Sequence, residues 1–263
     1  MDIKLTHIDT ACCLLEIDGY KILTDPVFDP PGKYYHHGYG SVSKKTSYPS
    51  IDEQKIAKID LILLSHPQHK DNFDNKGREF AKNVPLILST KKIEKNFKNG
   101  IGLKAWEKYL VKLPNGNEIT ITATPAQHHP LWLPKFFAGE VIGFIIEHSA
   151  SEQVIYITGD TVFFKGIKNV AEKYPNISIC LIHVGSAQFR YLIGFGKFTM
   201  NRKGFIKTIK TLNPKTAIPI HNNGWTHFKE NDEGLKNELL KHSEIKDKVL
   251  FLLNKEEEKL SLN

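Results

Sequence analysis

No disulfide framework can be read from this sequence. It holds only three cysteines, an odd number, and none has C-x-x-C spacing. Cys12 and Cys13 are adjacent, so on a strand they point to opposite faces. Buried, reduced thiols are the simplest expectation, and they agree with a cytosolic setting. No apolar run approaches the roughly 20 residues that span a bilayer. The first residues, Met1-Asp2-Ile3-Lys4-Leu5-Thr6-His7, lack the apolar stretch of a secretory signal. A cytoplasmic protein without a transmembrane segment is expected. Arginine is scarce as well. Only Arg78, Arg190 and Arg202 occur, so lysine carries almost all of the +7 net charge. Lysine is spread along the whole chain and mixed with acids, as in Lys91-Lys92-Ile93-Glu94-Lys95. That describes a solvated surface, so no stable nucleic-acid partner is expected. Linkers, repeats and low-complexity tracts are also missing, and one domain over 1–263 is expected.

What is present is a series of short apolar runs, several of which end in His or Asp. Tyr20–Thr24 leads to Asp25, and Asp60–Ser65 leads to His66. Glu118–Ala123 leads through Pro125 to His128. Val154–Thr158 leads to Gly159-Asp160, Ile179–Ile182 to His183, and Thr216–Ile220 to His221. Their length and β-branched content predict strands. Helices are predicted over Ser50–Ala57, Lys91–Phe97, Gly166–Lys173, Arg202–Leu212 and Asp232–His242. The mixture indicates a layered α/β fold. Phe28–Pro49 and Pro130–Gly143, rich in Gly, Pro and aromatics, are expected to be long loops bordering a site.

Ionisable side chains at strand ends gather at one edge of a sheet, where ligands bind. The densest cluster runs from Ser65 through His66-Pro67-Gln68-His69-Lys70-Asp71-Asn72 to Asp74. Imidazole nitrogen and carboxylate oxygen suit Zn²⁺, Mn²⁺ and Fe²⁺. Taken alone, the cluster fits a polar loop with surface histidines equally well. His128, Asp160 and His221 at other strand ends supply the second half of a site. Asp160 can bridge two metals, leaving open positions for a water that ionises near neutral pH. Gly159-Asp160-Thr161 alone would also fit a turn or helix cap.

With these motifs in this order, the sequence resembles the metallo-β-lactamase superfamily. The branch it is most similar to is that of bacterial lactonases and N-acyl-phosphatidylethanolamine phospholipase D. Thr10–Glu16, Ile22–Phe28, His66–Asp74, Thr124–His128, Thr158–Thr161 and Pro219–Trp225 carry the resemblance. It implies a four-layer αββα fold of two mixed sheets flanked by helices. It also implies a divalent metal centre of one or two ions, Zn or Mn. His69 and His128, with His66, would hold the first ion. Asp71 and His221 would hold the second, and Asp160 would bridge them. Asp25 would stand behind the site and orient a ligand.

The family pattern H-x-H-x-D-H is altered here. One extra residue separates His66 from His69, and Asn72 replaces the last His. The second position is therefore expected to be weak, empty or selective for a harder ion such as Mn²⁺. His129 competes with His128, and the Pro-Ala-x-His pattern favours His128. His183 fits a core histidine slightly better than a site residue. His227 fits a substrate contact and a structural role about equally. His36 and His37 border the pocket, whereas His7, His148 and His242 are incidental. Arg190 is a candidate for holding a substrate phosphate or carboxylate. The aromatic stretches Pro130–Phe137 and Phe189–Phe198 fit loop packing better than an apolar substrate pocket.

The function implied is metal-dependent hydrolysis of a small-molecule phosphoester, lactone or amide by a metal-bound hydroxide. Asp71 and Asp160 are the catalytic candidates. The alternatives are a binding protein on a degenerate site, suggested by Asn72, and a nuclease, suggested by the basic charge.

Overall fold

The period-2 alternation of the apolar runs decides the layering. A computed structural model describes residues 3–38, 40–130, 133, 139–189, 196–252 and 257–259. Its strands begin with β1 (Ile3–Asp9), β2 (Cys12–Ile17), β3 (Tyr20–Thr24), β4 (Tyr34–Gly38), β5 (Ser41–Lys44), β6 (Leu61–Leu63), β7 (Ile87–Ser89) and β8 (Gly100–Gly102). They continue with β9 (Lys108–Lys112), β10 (Glu118–Pro125), β11 (Ile142–His148), β12 (Ser151–Ile157), β13 (Ile177–His183), β14 (Thr216–Ile220) and β15 (Glu257–Lys259). The first sheet has the order β15-β1-β2-β3-β6-β7-β8, antiparallel as far as β3 and parallel beyond it. The second has the order β14-β13-β12-β11-β10-β9, parallel from β12 to β14 and antiparallel elsewhere. Both sheets are mixed, as the resemblance implies.

One face of each sheet forms the central core. Leu15, Leu61 and Leu63 share that core with Ile121, Ile157 and Leu181. The alternate residues face outward under helices. Ile62, Leu64 and Ile87 pack with Ala81 of α1 (Asn75–Ala81). Tyr156, Cys180 and Ile182 pack against α2 (Lys165–Lys173), α3 (Arg202–Leu212) and α4 (Asp232–Leu239) through Val170, Phe205, Ile209 and Leu235. This is the αββα order. Burying each such side chain stabilises the fold by about 1.5–3 kcal/mol. Cys12 lies in an outer cluster and Cys13 in the central one, and all three cysteines are buried and free. No helix among the described residues is long and apolar enough to cross a membrane.

Four local expectations need correction. Phe28–Pro49 is not all loop, because β4 and β5 pair there as a hairpin. Ser50–Ala57 shrinks to a 3₁₀ turn at Glu53–Lys55, which buries no residue and so lacks the packing that sustains a short helix. Lys91–Phe97 is likewise 3₁₀, over Lys91–Lys95. The Asp232–His242 helix stops at Leu239, and a further short helix, α5 (Ser243–Lys246), follows. Helix α1 was not expected, because Gly77 breaks its pattern. A Cβ at Gly77 would stand 1.9 Å from the Pro26 carbonyl oxygen, so the glycine is what lets this helix lie against the backbone. Asp74 caps it, accepting the Gly77 N–H at 2.7 Å.

Candidate metal centre

Six strand ends converge because β3 and β6 run parallel in one sheet and β10, β12, β13 and β14 share one direction in the other. Asp25, His66, His128, Asp160, His183 and His221 stand at or just beyond those ends. Two of them have left-handed backbones that non-glycine residues rarely adopt, Asp25 (φ 34°) and His221 (φ 62°). Such strain, of order 1–3 kcal/mol each, clusters at functional sites. Gly159 turns the chain into Asp160 at φ +63°, and a Cβ there would meet the Ile142 carbonyl oxygen at 2.4 Å.

The histidine ligand atoms form one group. One ligand atom from each of His66, His69 and His128 lies within 4.8 Å of the others. His66 Nε2 is 3.0 Å from His69 Nδ1, and His128 Nε2 is 3.1 Å from the same atom. Outer contacts fix two tautomers. The Phe198 carbonyl can only accept, so His128 Nδ1–H donates to it at 2.7 Å and Nε2 keeps its lone pair. Ser65 Oγ–H donates to Asp25 Oδ1 at 2.8 Å, so the same oxygen accepts His66 Nδ1–H at 2.9 Å. His66 Nε2 is therefore also a lone pair. One His69 nitrogen carries one proton or one lone pair and cannot satisfy both neighbours. A shared cation can. A tetrahedral centre with bonds of about 2.0–2.1 Å holds its ligands roughly 3.3 Å apart. The residues present fit a metal ion. The inserted residue therefore does not remove His66, since His69 meets it through Nδ1. Burial holds His66 and His128 well below the ordinary 6.5 and takes His69 down to about 4.

The carboxylates form the second group, Asp71, Asp160 and His221, also within 4.8 Å. His221 Nε2 is 3.4 Å from Asp71 Oδ2 and 3.5 Å from Asp160 Oδ1. Asn72 stands between them. Its Oδ1 is 3.2 Å from His221 Nε2, and its Nδ2 donates to Asp160 Oδ1 at 3.3 Å. Asp71 Oδ1 and Asp160 Oδ2 are buried with no hydrogen-bond partner among the described residues. Two orphaned anionic oxygens in one buried place also fit a cation. Burial pushes Asp160 up to about 7, aided by Asp71 and Asp25. Burial pulls His221 down, yet Asp160, Asp71 and Asp25 outweigh it and raise the imidazole to about 9. Burial also pushes Asp71 up, but hydrogen bonds from His221 and His227 prevail and hold it well below the usual carboxylate range.

The structure places the remaining candidates around these groups. Asp25 reaches His66 through Ser65, and its Oδ2 lies 3.3 Å from His183 Nε2. His183 is fully buried and touches Thr158 behind the site. His227 Nε2–H donates to Asp71 Oδ2 at 3.0 Å. His37 comes from the hairpin, with Nδ1 3.5 Å from Asp71 Oδ1, whereas His36 is exposed. His129 turns to the Pro130 carbonyl, away from the three-histidine group. His148 pairs with Asp18 at 3.0 Å, apart from both groups. Arg190 and most of the two aromatic stretches lie outside the described residues.

Sequence reasoning missed a buried brace. Lys45 Nζ bonds Asp9 Oδ2, and both side chains are almost wholly buried. Asp9 also accepts the Ser47 hydroxyl at 2.9 Å. The next residue, Thr10, takes the His221 N–H on its carbonyl (2.8 Å) and the Trp225 Nε1–H on its hydroxyl (3.2 Å). Lys45 Nζ lies 5.3 Å over the Trp225 ring. The brace thus ties the loop carrying His221 and His227 to the first sheet and the hairpin. Nothing in the sequence separates Lys45 from Lys44 beside it.

An αββα sandwich with His and Asp side chains gathered at its strand ends defines a metallo-β-lactamase-fold protein. Residues 20–222 match the beta-lactamase superfamily domain, and the chain belongs to that family. A UPF0173 metal-dependent hydrolase of Carboxydothermus hydrogenoformans is 27% identical over 224 residues, covering 84% of this chain and 85% of its own. One from Pyrococcus furiosus is 29% identical over 238 residues, covering 89% and 91%. Among solved structures, the isothiocyanate hydrolase from Delia radicum gut bacteria superposes with a TM-score of 0.81 at 23% identity, over 98% of this chain and 99% of that one. Igni18, a metallo hydrolase from Ignicoccus hospitalis, gives 0.71 at 22% identity over the full length of both chains. These two show the fold.

Proposed function

We propose that this protein is a metal-dependent hydrolase acting on a phosphoester, lactone or amide of a small molecule. The observation that carries the reading is His69 Nδ1, faced by two imidazole lone pairs that no arrangement of protons satisfies. His66 Nε2, His69 Nδ1 and His128 Nε2 would hold one ion, and the all-nitrogen set suits zinc. Asp71, Asp160 and His221 would hold the other, with Asp160 between the two. The Asn72 amide oxygen makes that half the better place for a harder ion such as Mn²⁺. When bound, a divalent ion supplies Lewis acidity and lowers the pKa of water. Asp71 Oδ1 and Asp160 Oδ2, which have no hydrogen-bond partner among the described residues, would face the ion and the water it activates. His227 holds the Asp71 carboxylate in place through Oδ2, and Asp25 orients His66 through Ser65. A cytoplasmic, one-domain enzyme is proposed with this, supported by three buried unpaired cysteines.

The test is elemental analysis of purified protein before and after chelator dialysis. Hydrolysis of bis(p-nitrophenyl) phosphate, γ-butyrolactone and p-nitroacetanilide is followed on the same samples. One or two ions per chain and loss of hydrolysis on chelation are expected. Protein that carries no divalent ion and hydrolyses equally with and without chelator would overturn the reading.

A further inference from the structure

A cavity of about 290 Å³ opens beside the carboxylate half of the centre. Strand β5 lines it with Ser41 and Val42, the loop after β13 with Gln188 and Phe189, and the loop after β14 with His227 and Lys229. Its volume is near the lower end for small-molecule sites.

The polar atoms on its wall are unfinished. Ser41 Oγ and His227 Nδ1 are both buried and have no hydrogen-bond partner among the described residues. Folded proteins rarely leave such atoms unpaired, and a ligand is one way to pair them. His227 Nε2–H is committed to Asp71, so Nδ1 is an acceptor and calls for a donor such as a hydroxyl. Lys229 is exposed at the mouth. Its Nζ donates to the Thr226 carbonyl at 3.2 Å, which leaves two of its three protons free for an anion. No carboxylate lines the cavity among the described residues. Among the described residues Lys229 is the one cation on the lining, and it matches a single negative charge better than a phosphate dianion. Phe189, stacked on His227 at 4.9 Å, and Val42 supply apolar walls.

We infer that this cavity is the substrate subsite of the hydrolase and takes the part of a small substrate that carries a carboxylate and a hydroxyl, next to the bond that is cleaved. Lys229 meets the acid group, and Ser41 and His227 meet the hydroxyl. The inference rests on the hydrolase reading, because His227 is the residue that joins the cavity to Asp71.

Calorimetric titration with four probes tests it: 3-hydroxybenzoate, benzoate, 3-hydroxybenzamide and 3-hydroxyphenyl phosphate. Each is titrated into zinc-loaded and chelator-stripped protein. The expected result is that 3-hydroxybenzoate binds both forms. Removing its hydroxyl or its charge should weaken binding about tenfold each. Lys229→Met, an exposed change that keeps the fold, should erase the preference for acid over amide. Ser41→Val should erase the preference for the hydroxylated acid. Equal binding of acid and amide, or acid binding that needs zinc and ignores Lys229→Met, would overturn the subsite. So would tighter binding of the phosphate, or no binding at all. Metal content and chelator-sensitive hydrolysis are measured on the same samples. Their loss with probe binding retained overturns the hydrolase reading alone, and the converse overturns the subsite alone.

Discussion

The two halves of the proposed metal centre hold their charge in opposite ways. The histidine half is neutral, because burial strips protons from His66, His69 and His128 and leaves lone pairs facing one another. The carboxylate half is ionic, with the His221 imidazole held protonated by Asp160 and Asp71 on either side of it. Their supports differ as well. The histidine half is aimed by single hydrogen bonds, to Ser65 beside His66 and from His128 to the Phe198 carbonyl. The carboxylate half depends on a loop fastened by the buried Asp9–Lys45 brace. The proposed site is thus built once from lone pairs and once from charges. The two halves should respond differently to mutation and to pH.

The largest effect is expected for His69→Ala, which removes the atom both other imidazoles face. Zinc affinity of the histidine half should fall by well over the roughly 10–100-fold that losing an outer partner costs. Competition with a chromophoric chelator measures it, and unchanged affinity would collapse the distinction between halves. Lys45→Met comes next. It leaves Asp9 buried without its cation, at a cost of about 3–5 kcal/mol. The midpoint of thermal unfolding should drop by roughly 6–20 °C. The second ion should be lost before the first. Adding Asp9→Leu should recover most of the stability, because a buried pair can be replaced by apolar side chains.

Ser65→Ala sharpens the contrast from the other side. It frees the His66 ring, and should weaken the first ion by about 10–100-fold while sparing the second. The smallest effect is that of pH. At pH 6, Asp160 and His221 both hold protons that a metal must displace, whereas the three histidines hold none. Occupancy of the carboxylate half should therefore rise from pH 6 to 9 while the histidine half stays filled. The stability of the stripped protein moves the other way. The pKa of His221 is raised, so its contribution is full below 6.5 and lost as pH rises through about 9. Asp160 behaves likewise, full below 3.8 and lost through about 7. The gap in thermal midpoint between loaded and stripped protein should widen over that range. A constant gap would mean that the two halves bind metal alike.

Much of this was legible in the sequence, because its carriers are local. Each strand run ended near the ligand it delivers, and adjacency alone put Cys12 and Cys13 on opposite faces. The fate of His66 was not legible. Spacing shows an inserted residue, but not that His69 meets its neighbours through Nδ1. The brace was hidden for another reason. Asp9, Lys45 and Trp225 are far apart in the chain, and a buried lysine has the same letter as a solvated one. Helix α1 escaped because its glycine is explained only by the Pro26 backbone lying against it.

The most direct test is a crystal structure of zinc-loaded protein at pH 8, with anomalous data at the zinc edge. The account predicts a peak bonded at about 2.0–2.1 Å to His66 Nε2, His69 Nδ1 and His128 Nε2, and a second among Asp71, Asp160 and His221. A single ion on the carboxylates, with His66 turned away from His69, would contradict it.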